Sequence, residues 1–80
     1  MPTVLRQEGF ALRIYFDDHD PAHVHVVKSD KEVVISLGDE TTRPWIRRNK
    51  GMRQKDMRRS LKIVAEHQSF LIAHWRSINE

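Results

Sequence analysis

The stretch richest in reactive side chains is Asp17-Asp18-His19-Asp20-Pro21-Ala22-His23-Val24-His25-Val26, which holds three of the chain's five histidines and three of its eleven acidic residues. Imidazole is the side chain whose ordinary pKa, about 6.5, lets it take and give a proton near neutrality. Alternation places His23 and His25 on one face of a strand and Val24 and Val26 on the other. Residues two apart on a strand stand about 6.5–7 Å apart, a spacing that would bracket a phosphate. Arg13 and Tyr15 fall on the same face by the same alternation. Together these are the residue types that metal-independent RNA cleavage needs: one group takes the 2′-hydroxyl proton, one protonates the leaving oxygen, and a cation meets the charge building at phosphorus. His23, His25, His19, Arg13 and Tyr15 are therefore the candidate catalytic residues, with no cofactor expected. A rival chemistry is a metal site, because His19-x3-His23-x-His25 with Asp17, Asp18 or Asp20 supplies nitrogen and oxygen ligands for a divalent ion if three or four converge. The structural alternative is a turn whose Asp side chains bond their own backbone, followed by histidines that line an exposed sheet.

A second feature is charge. The net charge is +3, but residues 1–40 carry a net −4, residues 41–62 a net +8 and residues 63–80 a net −1. The basic block consists of Arg43, Arg47, Arg48, Lys50, Arg53, Lys55, Arg58, Arg59 and Lys62 against a single acid, Asp56. Such a local field attracts phosphate or an acidic partner, and these nine residues are the candidate nucleic-acid contacts, for RNA or DNA. Several of them surround the expected start of a helix, where cations are unfavourable and an anion is welcome. The alternative is a solvated helix face.

These side chains need a scaffold, and the hydrophobic pattern describes one. Phe10, Leu12, Ile14 and Phe16 alternate with Ala11, Arg13 and Tyr15, which predicts a half-buried strand after a turn at Glu8-Gly9. Thr3–Arg6 predicts a short edge strand, and His23–Lys28 a further one. Lys28–Lys31 reads as a turn, and Val33, Ile35 and Leu37 mark one face of a strand that ends at Gly38. Short connections favour an antiparallel meander. Residues 43–51 read as a loop in which Trp45-Ile46 tucks against the core. From Met52 the period becomes helical: Met57, Leu61, Val64, Gln68, Leu71, Trp75 and Ile78 share one face of a single long helix over 52–79. Ile63, His67, Phe70 and His74 form a second stripe, read either as peripheral packing against the Pro44-Trp45 loop or as a surface for a partner or a second copy. The expected fold is one α+β domain, with a small antiparallel β-sheet of three to four strands packed against one long C-terminal α-helix.

Taken together, Met1-Pro2-Thr3, the run Tyr15-Phe16-Asp17-Asp18-His19-Asp20-Pro21-Ala22-His23-Val24-His25-Val26, and a C-terminal helix carrying Leu61, Val64, Leu71 and Trp75 resemble the small bacterial domain-of-unknown-function family 4160. Ala22 stands where that family usually has a second proline. The resemblance implies a cytoplasmic bacterial or archaeal protein, encoded beside an antitoxin-like partner of domain-of-unknown-function family 2442. It implies no established activity and hence no catalytic residues.

Composition excludes other classes. No cysteine is present, so neither a disulfide framework nor a thiolate metal site is available, which suits a reducing compartment. Met1–Arg6 has no apolar run of signal-peptide length, and no membrane association is expected. The sequence supports two readings: a toxin-like component that binds or cleaves RNA, and a non-enzymatic module that pairs with a cognate protein or nucleic acid.

Overall fold

The computed structural model describes residues 3–16, 18–19 and 21–80. Five strands form one antiparallel sheet: β1 (Thr3–Gln7), β2 (Phe10–Arg13), β3 (His23–Lys28), β4 (Lys31–Ser36) and β5 (Trp45–Lys50). Their spatial order is their order in the chain, as expected of a meander with short connections. Two helices follow, α1 (Gln54–Glu66) and α2 (Gln68–Asn79). Neither is long and apolar enough to cross a membrane.

The turns explain the topology. Glu8 (φ 55°) and Gly9 (φ 83°) both take positive φ, the two-residue geometry whose twist matches that of paired strands. Gly38 (φ 69°) starts the link from β4 to β5, and a Cβ there would lie 2.3 Å from the Thr42 carbonyl oxygen. Only glycine tolerates that approach. Gln68 Nε2 then donates to the carbonyls of Leu37 (2.8 Å), Thr42 (3.0 Å) and Asp39 (3.1 Å), tying this link to the helical layer.

The apolar face of the sheet is as expected: Leu12, Ile14, Val24, Val26, Val33, Ile35 and Leu37 are all buried in the core. The helices cover it with Ile63, Val64, Leu71 and Trp75. Several expectations require correction. The sheet has five strands rather than three to four, because residues 45–50 of the expected loop pair with β4 through Val33↔Asn49, Val34↔Arg48, Ile35↔Ile46 and Ser36↔Trp45. Ile46 packs against the core, whereas Trp45 is half exposed. Phe16 does not join the core face; the strand ends at Arg13 and the ring is 80% exposed.

The single long helix is broken at His67 (φ −115°, ψ 21°). Its N–H is shared between the carbonyls of Ile63 (3.2 Å) and Val64 (3.1 Å). No Gly or Pro causes the break. His67 Nε2–H donates to Gln7 Oε1 at 3.0 Å, and Gln68 binds the β4–β5 link, so tertiary hydrogen bonds at two successive residues hold the chain off a straight axis. The break also changes which faces are inside. The inner seam of α1 is Ser60, Ile63 and Val64, and that of α2 is Leu71 and Trp75. Ile63, expected on a partner surface, is fully buried in the core. The rest of its stripe is not: Phe70 is 50% exposed, its ring 6.2 Å from that of His74.

Candidate functional site

Strand pairing builds the site row by row. Arg13 on β2 pairs with His25 on β3, His25 with Val34 on β4, and Val34 with Arg48 on β5. Directly paired residues of an antiparallel sheet share a face, so this row lies on the face opposite Val24 and Val26. One step along, His23 pairs with Ser36, and Ser36 with Trp45. The alternation read from sequence therefore places Arg13, His23, His25, Val34 and Ser36 together. It does not leave them all open. His23 is only 7% exposed, Ser36 2% and Val34 9%.

Two elements close this face at one end. Trp75 brings its ring to 5.1 Å from that of His23. The connection between β2 and β3 brings Asp18 over the histidines, with its Oδ2 3.0 Å from His23 Nε2 and 3.6 Å from His25 Nε2. Asn79, at the end of α2, anchors the connection: its Oδ1 accepts from the Asp18 backbone N–H at 2.9 Å and its Nδ2 donates to the Tyr15 carbonyl at 3.3 Å.

The hydrogen bonds at the far side of each ring set the tautomers. His23 Nδ1 lies 2.9 Å from the Pro21 carbonyl oxygen, which only accepts, so Nδ1 carries the proton. His25 Nδ1 lies 2.7 Å from Glu32 Oε2. Burial pushes the Glu32 carboxyl up, but the hydrogen bond from His25, with Lys50 beside it, outweighs this and holds it below its ordinary 4.5. Glu32 is thus ionised at neutral pH and His25 Nδ1–H donates to it. Both rings present Nε2 towards Asp18. The arrangement is convergent: the rings of His23 and His25 are 5.2 Å apart and edge-on, with Asp18 between them rather than a gap the size of a phosphate. One donor atom from each of Asp18, His23 and His25 lies within 4.8 Å of the others, close enough for one metal ion to bridge all three.

The depressed Glu32 carboxyl has a consequence for stability. A carboxyl whose pKa is lower folded than unfolded stabilises the fold above its unfolded pKa, and the contribution disappears as pH falls through the folded one. Glu32→Gln should therefore cost on the order of 1–2 kcal/mol at pH 6. That deficit should close as the pH falls from the ordinary carboxylate value through the lowered folded-state one. Urea unfolding midpoints of both proteins at pH 6 and over a descending series of acid pH values check this.

A cleft of about 420 Å³ opens beside the histidines, lined by Asp18, His19, His23, His25, Val34, Arg47, Arg48 and Lys50. It unites the His motif with three members of the basic block. Lys50 is 3.5 Å from Glu32 Oε1, whereas Arg47 and Arg48 are exposed. His19 is exposed at the rim and is not among the three residues whose donor atoms converge. Tyr15 packs edge-on against His25, ring centroids 4.7 Å apart. Arg13 keeps its place in the row, but its Nε is buried without a partner among the described residues. Asp17 and Asp20 lie outside the described residues.

The basic block does not act as one surface. Lys55, Arg58, Arg59 and Lys62 line a separate depression with Glu8, Phe10, Lys28 and Asp56, where Arg59 pairs with Glu8. Arg53 pairs with Asp56 at 3.4 Å, as does Lys28 at 3.3 Å. Asp56, in the first turn of α1, supplies the negative charge that the helix start favours, so the expected anion there has a resident substitute. Arg43 is exposed and lines neither depression.

Sequence reasoning missed Glu32, Asn79 and Trp75 as residues that position the site. Glu32 had a signal: cross-strand register sets it next to Val27, diagonal to His25. Asn79 had none, since its role depends on where α2 ends.

No curated protein and no solved structure matches this chain. Residues 9–76, which include every residue of the cleft, match the family described as Domain of unknown function (DUF4160), and the chain belongs to that family.

Proposed function

We propose that this chain binds RNA along β5 and cleaves it at the Asp18–His23–His25 group, as the toxin-like member of a two-protein pair. One observation carries the reading: a single cleft combines two imidazoles, a carboxylate and the cations Arg47, Arg48 and Lys50. Cations that track a phosphate backbone beside a group able to move protons are what phosphodiester chemistry uses. The RNA backbone would run along the exposed edge of β5, with the scissile phosphate at His25, the more accessible of the two rings. The cognate partner, expected from domain-of-unknown-function family 2442, would take the surface around Phe70 and His74.

A second reading is favoured by a specific observation. Each histidine spends Nδ1 on a fixed acceptor and His23 is buried against Trp75. In addition, β5 is an edge strand, where charged side chains serve to block pairing with other chains. A non-enzymatic binding module would show these features too.

Salt dependence tests the RNA contact. Single-stranded RNA released from three cations gives a slope of log K against log salt of roughly −2, at about 0.7 per phosphate contact. The double variant Arg47→Glu, Arg48→Glu should bind a labelled RNA at least tenfold more weakly in fluorescence anisotropy and flatten the slope by about 1.4. Equal binding and equal slope in the variant would remove β5 from the interface.

A further inference from the structure

We propose that Asp18, His23 and His25 form a three-residue site for a divalent transition-metal ion, with zinc as the ion to test first. The RNA reading is not needed for this inference, which concerns only what the three side chains hold.

The site contains an unpaired atom. Asp18 Oδ2 is buried and has no hydrogen-bond partner among the described residues, although two imidazole nitrogens stand 3.0 and 3.6 Å away. The contact with His23 Nε2 is short enough for a hydrogen bond but not aligned for one. With Nδ1 of each ring carrying the proton, each Nε2 offers a lone pair. Two nitrogen lone pairs and a carboxylate oxygen brought together out of water repel one another unless a cation lies among them. A proton on Nε2 would supply positive charge, but it would point along the ring axis and miss Oδ2. A metal ion resolves both problems, because its ligands aim at a common centre and not at each other.

The distances fit. Ligands about 2.1 Å from a tetrahedral ion stand about 3.4 Å from one another, and the two observed separations, 3.0 and 3.6 Å, bracket that edge. The donor set is right for zinc or for a non-haem ion bound by two histidines and a carboxylate.

The outer layer fits as well. A metal-binding histidine usually donates its other N–H to a carbonyl or carboxylate, which fixes the ring and raises its basicity. His23 donates to the Pro21 carbonyl and His25 to Glu32, while Asn79 holds the Asp18 backbone. Three protein ligands beside an open cleft leave a coordination position for water or substrate, which is the catalytic and not the structural type of site. Sequence allowed His19, Asp17 or Asp20 as ligands equally well; among the described residues the geometry selects Asp18, His23 and His25.

The test uses no RNA, so its outcome is separate from that of the RNA reading. Chelator-stripped protein is titrated with zinc in competition with a chromophoric chelator, and separately with cobalt(II) in a visible absorption titration. The wild type should take up one zinc per chain, and cobalt should give intense ligand-field bands that saturate at one equivalent. Glu32→Gln should weaken zinc binding by about 10–100-fold, and Asp18→Asn, checked as folded by circular dichroism, by more. His19→Ala should match the wild type. No stoichiometric zinc and no cobalt bands in the wild type would overturn the proposal, as would an Asp18→Asn protein that binds zinc as tightly as the wild type.

Discussion

Replacing Trp75 with alanine should lower the stability of this domain by about 3–5 kcal/mol, the usual cost of emptying a buried aromatic site. The ring is 1% exposed and lies in the core with Leu71, Ile63 and Val64. An 80-residue chain buries a smaller share of its surface than a larger domain, and its total stability belongs near the low end of about 5–15 kcal/mol. The loss therefore takes most of what there is, and urea unfolding should show a protein partly unfolded before denaturant is added. Trp75 also backs the His23 ring. Trp75→Phe keeps most of the volume and should cost only about 1–2 kcal/mol. It should nevertheless disturb the site, since the smaller ring no longer holds His23 against Asp18. A variant that remains folded but loses site function would separate the two roles.

His25→Ala carries the second large effect. On the proposed reading His25 stands at the scissile phosphate, and RNA cleavage should fall by about 10²–10⁴ when it is removed. The fold should survive. His25 sits at the cleft, with Tyr15 and Glu32 as side-chain neighbours, and Glu32 keeps Lys50 as a partner. His23→Ala should behave differently. His23 is buried between Asp18, His25 and Trp75, so its loss opens a cavity and should reduce activity and stability together. Unfolding midpoints measured beside cleavage rates distinguish the two histidines.

Much of this architecture is legible from residue pattern, and the parts that are not share a cause. The core strands announce themselves because one face is buried: Val33, Ile35 and Leu37 have to alternate, and so do Val24 and Val26 with His23 and His25. The edge strand β5 has no such obligation. Trp45-Ile46-Arg47-Arg48-Asn49-Lys50 is exposed at every position but Ile46, so no hydrophobic period marks it, and its strand character comes from backbone bonds to β4. The break at His67 is equally silent, since the residues around it are ordinary helix formers and the distortion comes from partners 60 and 31 residues away in Gln7 and Leu37. The core position of Ile63 follows from that break: a straight helix would have put it beside the main seam.

The site divides in the same way. That His23, His25 and Arg13 share a face follows from alternation alone. That the two imidazoles converge on Asp18 does not. It depends on a connection anchored by Asn79 and on a His23 ring backed by Trp75, both at the far end of the chain. The basic block shows the limit of composition as an argument. Nine cations close in sequence split into three at the cleft, five around α1, where acids at Glu8 and Asp56 engage Arg59 and Arg53, and Arg43 apart from both. Net charge over a window says that a field exists; pairing decides where it is free to act.

The central claim is that the cleft between the His motif and β5 acts on RNA. Its most direct test is incubation of end-labelled RNA with purified wild-type chain, His25→Ala, and the Arg47→Glu, Arg48→Glu double variant, each shown to be folded. The account predicts fragments with the wild type, loss of cleavage with His25→Ala, and slower cleavage, restored in part at higher RNA concentration, with the double variant. Intact RNA in the wild-type lane, or cleavage by His25→Ala at the wild-type rate, would contradict it.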